Sequence, residues 1–170
     1  MASRIVVEGD DAARRRLEHL AAAVHATVRQ EIQRTAVRIQ AGARRRLHEH
    51  GTSDTGRLAN SIAIETHDGG LEARIGTNLV YARAIEFGLP PGYLRRMPPV
   101  DAIAGWVRRK LGVRDREEAR SIAFAIARKI QRSGTEPQPY LFPAAEAERR
   151  GFRRRLQRAV REALREAARG

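Results

Sequence analysis

Apolar positions along this chain keep two rhythms. From Asp11 to about His50, Leu17, Leu20, Val24, Val28, Ile32, Ala36, Ile39, Ala43 and Leu47 recur at steps of three or four, which places them on one stripe of a single helix. The positions between them are mostly Arg, Glu, Gln and His. Gly9-Asp10-Asp11 supplies a turn, an N-cap and acidic charge at the helix start, and Gly51 supplies its stop. At 1.5 Å per residue such a helix is about 60 Å long, more than a compact domain of this size spans. Part of the stripe is therefore expected to pack against another subunit. The alternative is a bend at Gly42, where glycine weakens a helix by about 1 kcal/mol relative to alanine.

The second rhythm has period two. Residues 4–8 read as a short strand ahead of the long helix. After the polar loop 51–56, Ser61–Thr66 and Leu71–Gly76 alternate around Asp68-Gly69-Gly70, which predicts an antiparallel hairpin with positive φ at Gly69 or Gly70. Period three to four then returns. Residues 79–87 form a short helix stopped by Gly88, and Pro90-Pro91-Gly92 force a loop. Val100–Leu111 carries Val100, Ile103, Val107 and Leu111 on one face, with Pro98-Pro99 at its entrance. Arg116–Arg132 carries Ala119, Ile122, Ile126 and Ile130 and closes at Gly134. Residues 137–143 are extended, and Ala144–Arg169 is a final basic helix with Phe152, Leu156, Val160, Leu164 and Ala167 on its stripe. The fold class is α+β: a small antiparallel hairpin packed on a long N-terminal helix, with additional helices and a basic C-terminal one. The 170 residues suit a single domain, 1–170.

Composition narrows the chemistry. There is no cysteine, which removes disulfides, thiol nucleophiles and sulfur-ligated zinc. His19 and His25, and His48 and His50, are not spaced to share a helix face, so no metal site is expected. No apolar run reaches the roughly 20 residues that cross a bilayer, and the first residues are too weakly apolar for a signal peptide, so assembly in the cytoplasm and no membrane partner are expected. The formal charge is +13, and all but Lys110 and Lys129 of the 33 basic residues are arginine. Nucleic acid, an acidic partner surface or an anionic membrane could answer that charge, as could codon usage rich in Arg, Ala and Gly together with protein–protein ion pairs.

Four local patterns follow one another. Thr55-Gly56-Arg57-Leu58-Ala59-Asn60-Ser61-Ile62 opens the first hairpin strand. Gly76-Thr77-Asn78 leads into Tyr81-Ala82-Arg83-Ala84-Ile85-Glu86-Phe87-Gly88. The stretch Ala123–Ile130 ends at Gly134-Thr135, and Pro137-Gln138-Pro139-Tyr140-Leu141-Phe142-Pro143-Ala144 completes the series. In order and spacing this series resembles the tail-completion, or head–tail joining, family of long-tailed bacteriophages, over residues 52 to 147. Leu89 stands where that family usually has Thr, and Tyr140 where it usually has Phe. The helices within 99–132 look like an insertion found in its longer members.

The resemblance implies a structural virion protein of the phage neck, located at the head–tail junction. It would form a homo-oligomeric, six- or twelve-fold ring around the DNA channel. Its partners would be neighbouring neck, tail-terminator or head-completion proteins, with DNA in the channel as a further contact. The positions that carry it are Gly56, Leu58, Ser61, Gly76, Tyr81, Glu86, Phe87, Gly88, Pro139 and Leu141, all in structural roles. Gly76 and Gly88 are expected to permit turns, Tyr81, Ile85 and Phe87 to fill the core, and Glu86 to accept an arginine such as Arg57. Leu156, Val160 and Leu164 are the interface candidates. Motifs for phosphate or dinucleotide binding and the nucleophile elbow are all missing from the sequence, so no catalytic residue, cofactor or enzyme activity is expected. The rival class is a basic nucleic-acid-binding protein built on Arg14–Arg16, Arg44–Arg46 and Arg153–Arg155. Those clusters lack the interleaved aromatics that stack bases, and Trp106 is expected to pack inside.

Overall fold

The computed structural model of the chain describes residues 10–51, 55–167 and 169. The strand expected at 4–8 lies outside them. The elements are α1 (Asp10–Glu49), α2 (Arg57–Ser61), β1 (Ala63–His67), β2 (Glu72–Gly76), α3 (Ala82–Phe87), α4 (Val100–Lys110), α5 (Arg116–Ser133) and α6 (Leu141–Ala167). β1 and β2 form a two-stranded antiparallel hairpin, and helices dominate the remainder, so the fold is α+β. The 3-10 turn Asp68–Gly70 joins the strands, with φ of 60° at Gly69 and 92° at Gly70. Both glycines adopt the left-handed backbone that the Asp-Gly-Gly signal predicts.

By contact the chain divides into two compact units. One gathers α1 as far as Arg38, the hairpin tip Glu65–Arg74 and the chain from Ala147 onward; the other holds Ile39–Ile64 and Ile75–Glu146. The second unit has two apolar clusters. Ala43, Leu47, Leu58, Ala59, Ile62, Ala82, Tyr140 and Ala144 are buried together, with Ile39, Ile75, Leu79, Ile85 and Leu141 against them. The other cluster is the α4–α5 pair, where Val107 meets Ala119 and Ala123 and is flanked by Val100, Ile103, Ile122 and Ile126. The α5 alanines let the two helices approach, and Asp115 caps α5 by accepting the Glu118 N–H at 2.7 Å.

Several expectations are corrected. α1 runs unbroken through Gly42, so the glycine marks no break. A Cβ there would stand 3.3 Å from the Ala144 Cβ, which makes Gly42 a point of close helix contact. The α1 stripe is unevenly covered: Ala36, Ala43 and Leu47 are buried, whereas Leu17 is 65 % exposed. Residues 57–61 do not open a strand. They form α2, because Leu58, Ala59 and Ile62 are buried together, and in a strand the neighbours Leu58 and Ala59 would face opposite sides. The carbonyls at the end of α2 are taken from α1: Arg44 donates to the Ala59 and Ile62 oxygens at 3.0 and 3.1 Å, and Gln40 donates to the Ile62 oxygen at 2.7 Å. The hairpin strands accordingly begin at Ala63 and Glu72. Leu111 and Trp106 were expected on packed faces and are exposed. α6 begins at Leu141, three residues before the expected start, and takes Pro143 into its first turn, where a missing N–H costs nothing.

Candidate interaction site

The second and fourth sequence patterns meet in the second unit. Leu89 and Thr135 exchange backbone hydrogen bonds at 3.0 and 2.9 Å, and the Gln138 N–H donates to the Ile85 oxygen at 2.8 Å. Gly88 and Gly134 flank this bridge with φ of 70° and 71°. A Cβ on Gly88 would strike the Thr135 carbonyl, and one on Gly134 the Leu89 carbonyl. Both positions therefore require glycine, for backbone conformation and for space.

Glu86 completes the lacing. It is 7 % exposed, and its carboxylate accepts three successive backbone N–H groups: Tyr140 at 2.9 Å, Leu141 at 3.0 Å and Phe142 at 2.8 Å. These are among the N–H groups that a helix start leaves without partners, so Glu86 caps α6 from more than fifty residues away. The cap explains why α6 starts early. It also corrects the expectation of an Arg57 partner, since Arg57 is exposed and the oxygens of Glu86 are committed to the backbone. Tyr140 is buried beside it. Burial pushes the Tyr140 hydroxyl above its ordinary pKa of 10.0, and the neighbouring negative charge of Glu86 pushes it further.

The tie positions two aromatic rings. Phe87 follows Glu86 in sequence, and Phe142 donates the third N–H. Each is 67 % exposed, and Tyr81 is also largely exposed, so none of the three aromatics fills the core; of the expected filling residues only Ile85 packs there. Phe87 and Phe142 line an apolar groove of about 460 Å³ together with Ile39, Ile75, Ala82 and Leu141.

Most of the remaining sequence-nominated residues fall in the second unit. Gly56 adopts φ of 70° at the start of α2, and Leu58 is buried. Ser61 donates to the Leu58 oxygen at 2.8 Å, and its hydroxyl lies 2.7 Å from that of Thr77. Gly76 ends β2 with open space around it and no positive φ, so the turn expected there is absent. Pro139 is half-buried ahead of α6. Leu156 and Val160 are half-buried and Leu164 is 40 % exposed, all in the first unit.

A polar cluster in the first unit escaped the sequence reading. Glu31 is 6 % exposed and accepts from Arg155 at 2.8 Å, Arg38 at 2.9 Å and the Thr35 hydroxyl at 3.3 Å. The same two arginines donate to Glu148 at 2.7 and 3.0 Å. Burial alone would raise the pKa of Glu31, but the Arg155 hydrogen bond, the charges of Arg38 and Arg155 and the Thr35 hydroxyl outweigh it and hold the carboxyl below 4.5. Gly151 makes room for this arrangement, because a Cβ there would collide with the Arg155 guanidinium. A glycine four residues before an arginine was the one available signal.

No group of three potential metal ligands converges among the described residues, and no described helix is long and apolar enough to cross a membrane. Residues 11–88 match the sequence model of the HK97-gp10-like family, described as "Bacteriophage HK97-gp10, putative tail-component". The match spans somewhat under half of the chain. It takes in α1, the hairpin and α3 as far as Gly88, and stops before Pro139 and Leu141. It is consistent with the resemblance drawn from the sequence patterns and supports a structural role in a phage tail. Neither the curated proteins nor the solved structures contain a match.

Proposed function

From this similarity to a phage tail-component family, we propose that the chain is a structural virion protein that completes the tail and joins it to the DNA-filled head. It acts as one copy of a homo-oligomeric ring, six- or twelve-fold, around the DNA channel, beside neighbouring neck proteins. It assembles in the host cytoplasm and has no enzymatic role.

The observation that supports the ring is the groove between Phe87 and Phe142. Its occupant is a second copy of this chain. The chain carries both the groove and exposed apolar side chains elsewhere, Leu17 among them. A groove on one copy filled by a different surface of the next is a heterologous contact, the kind that closes into rings. Glu86 serves this contact indirectly, by holding the two aromatic-bearing segments together.

Phe87→Glu and Phe142→Glu test the reading, because both side chains are exposed and their replacement should spare the monomer fold. The expected outcome is an unchanged thermal melt, loss of the oligomer by analytical ultracentrifugation, and heads and tails that fail to join when the variants are supplied during particle assembly. Leu164→Asp probes the α6 stripe in the same assay. Rings and joined particles at normal yield from both phenylalanine variants would remove the groove from the assembly.

A further inference from the structure

The arginines of α6 divide by face. Arg155 is spent on Glu31 and Glu148. Arg150, Arg154, Arg158, Arg161 and Arg165 are all exposed, and none has an ion pair or hydrogen-bond partner among the described residues. Their spacing of four, four, three and four places them within an arc of about 80° at 100° per residue, over a length of about 22 Å. Four of them, with Gln157 and Glu162, line a shallow surface groove of about 300 Å³. The row cuts across the consecutive triplet Arg153–Arg155, whose members point three different ways because neighbours on a helix stand about 100° apart.

We infer that this row is a binding face for the phosphate backbone of duplex DNA. Guanidinium forks suit phosphate oxygens, and a straight row of five offers one cation about every 5.6 Å along the helix axis to a polymer that carries a charge about every 1.7 Å. Its composition favours DNA over an acidic protein surface. Specific protein interfaces do use arginine, but set it around a centre of aromatic and other apolar side chains. This arc has no apolar side chain: Phe152, Leu156 and Ala163 lie on the opposite side of the helix, and the half-exposed Leu164 stands about 40° outside its edge. Interfaces with nucleic acid are polar and strongly positive throughout. The lack of aromatics in the row means that bases are not stacked, so recognition is independent of sequence. The inference deepens the tail reading, in which DNA fills the channel, by naming the surface that meets it, and its observations come from α6 alone.

The test uses the full chain and a duplex of arbitrary sequence, with affinity measured by fluorescence anisotropy between 50 and 300 mM salt. Arg154→Gln/Arg158→Gln/Arg161→Gln should lower the slope of log affinity against log salt by about 2.7, at 0.9 per lost phosphate contact, and weaken binding on the order of a hundredfold at 100 mM salt. The Lys triple at the same positions should keep the slope. Arg14→Gln/Arg15→Gln/Arg16→Gln, which removes the same charge from α1, should also keep it. Equal losses from the α1 and α6 triples would reduce the effect to net charge and overturn the proposal. So would an unchanged slope in the α6 Gln triple, or tighter binding of poly-glutamate, a polyanion without phosphates, than of DNA at the same salt. Loss of ring assembly in the phenylalanine variants, with this slope intact, would leave the two readings separately decided.

Discussion

Among the described residues two glutamates are buried, on α1 and α3, and they are satisfied by opposite means. Glu86 receives three backbone N–H groups from one helix start and no charged partner. Glu31 receives two guanidinium groups and a hydroxyl, and those guanidiniums are shared with Glu148. The first arrangement uses donors that are fixed by the fold and would otherwise lack partners. The second uses long side chains that must be ordered and are themselves a third exposed or more. Fixed donors lose little entropy on bonding, whereas Arg38 and Arg155 lose rotamer freedom. Glu86 should therefore carry more stability than the larger-looking ionic cluster.

The largest expected effect comes from Glu86→Ala, which strips one acceptor from three buried or half-buried donors. A loss of about 3–4 kcal/mol in the free energy from urea unfolding is expected, with Glu86→Gln intermediate because one acceptor oxygen remains. A loss under 1 kcal/mol would mean that water caps α6 adequately. Glu31→Gln should cost less, about 2 kcal/mol, since the two arginines keep Glu148 and reach solvent. If Glu31→Gln proved the costlier, the ranking of fixed donors over mobile ones would be reversed.

Titration separates the regions further, because they respond at opposite ends of the pH scale. The folded-state pKa of Glu31 is depressed, so its contribution is present above about pH 4.5 and is lost as the pH falls through the lower folded value. The folded-state pKa of Tyr140 is raised, so its contribution is complete below about pH 10 and is lost as the pH climbs through the higher folded value. Thermal melts across pH should show an acid decline that flattens in Glu31→Gln and an alkaline decline that flattens in Tyr140→Phe. Exchanged assignments would contradict the geometry. The smallest effect is expected from salt. Raising it to 0.5 M should shrink the deficit of Glu31→Gln by a few tenths of a kcal/mol, because its partners are partly exposed, and leave that of Glu86→Ala nearly unchanged.

Part of this architecture was legible in the residues alone. The three-to-four period from Leu17 to Leu47 marked α1, Asp-Gly-Gly marked the hairpin turn, and Gly88 and Gly134 marked helix ends. Each is a local property: a side-chain period, a cap or a left-handed backbone is decided within a few residues. Tyr81-Ala82 and Glu86-Phe87-Gly88 also pointed to the phage tail-component family that residues 11–88 match. The assignment of partners was decided elsewhere. Glu86 reaches Tyr140, Leu141 and Phe142 across more than fifty positions, and Arg155 reaches Glu31 across 124. Periodicity carries no information over such separations, so an arginine partner for Glu86 was as plausible as the backbone it binds. The same reason explains why Thr55–Ile62 read as the opening of a strand. Its alternation is weak, and the joint burial of Leu58, Ala59 and Ile62, with the arginine and glutamine of α1 donating to its last carbonyls, makes a helical turn the better outcome. The arginine triplets show the division most plainly. The sequence alone set their number and charge, but which guanidiniums are locked inside and which remain in an open row depends on where the acidic partners of the folded chain stand.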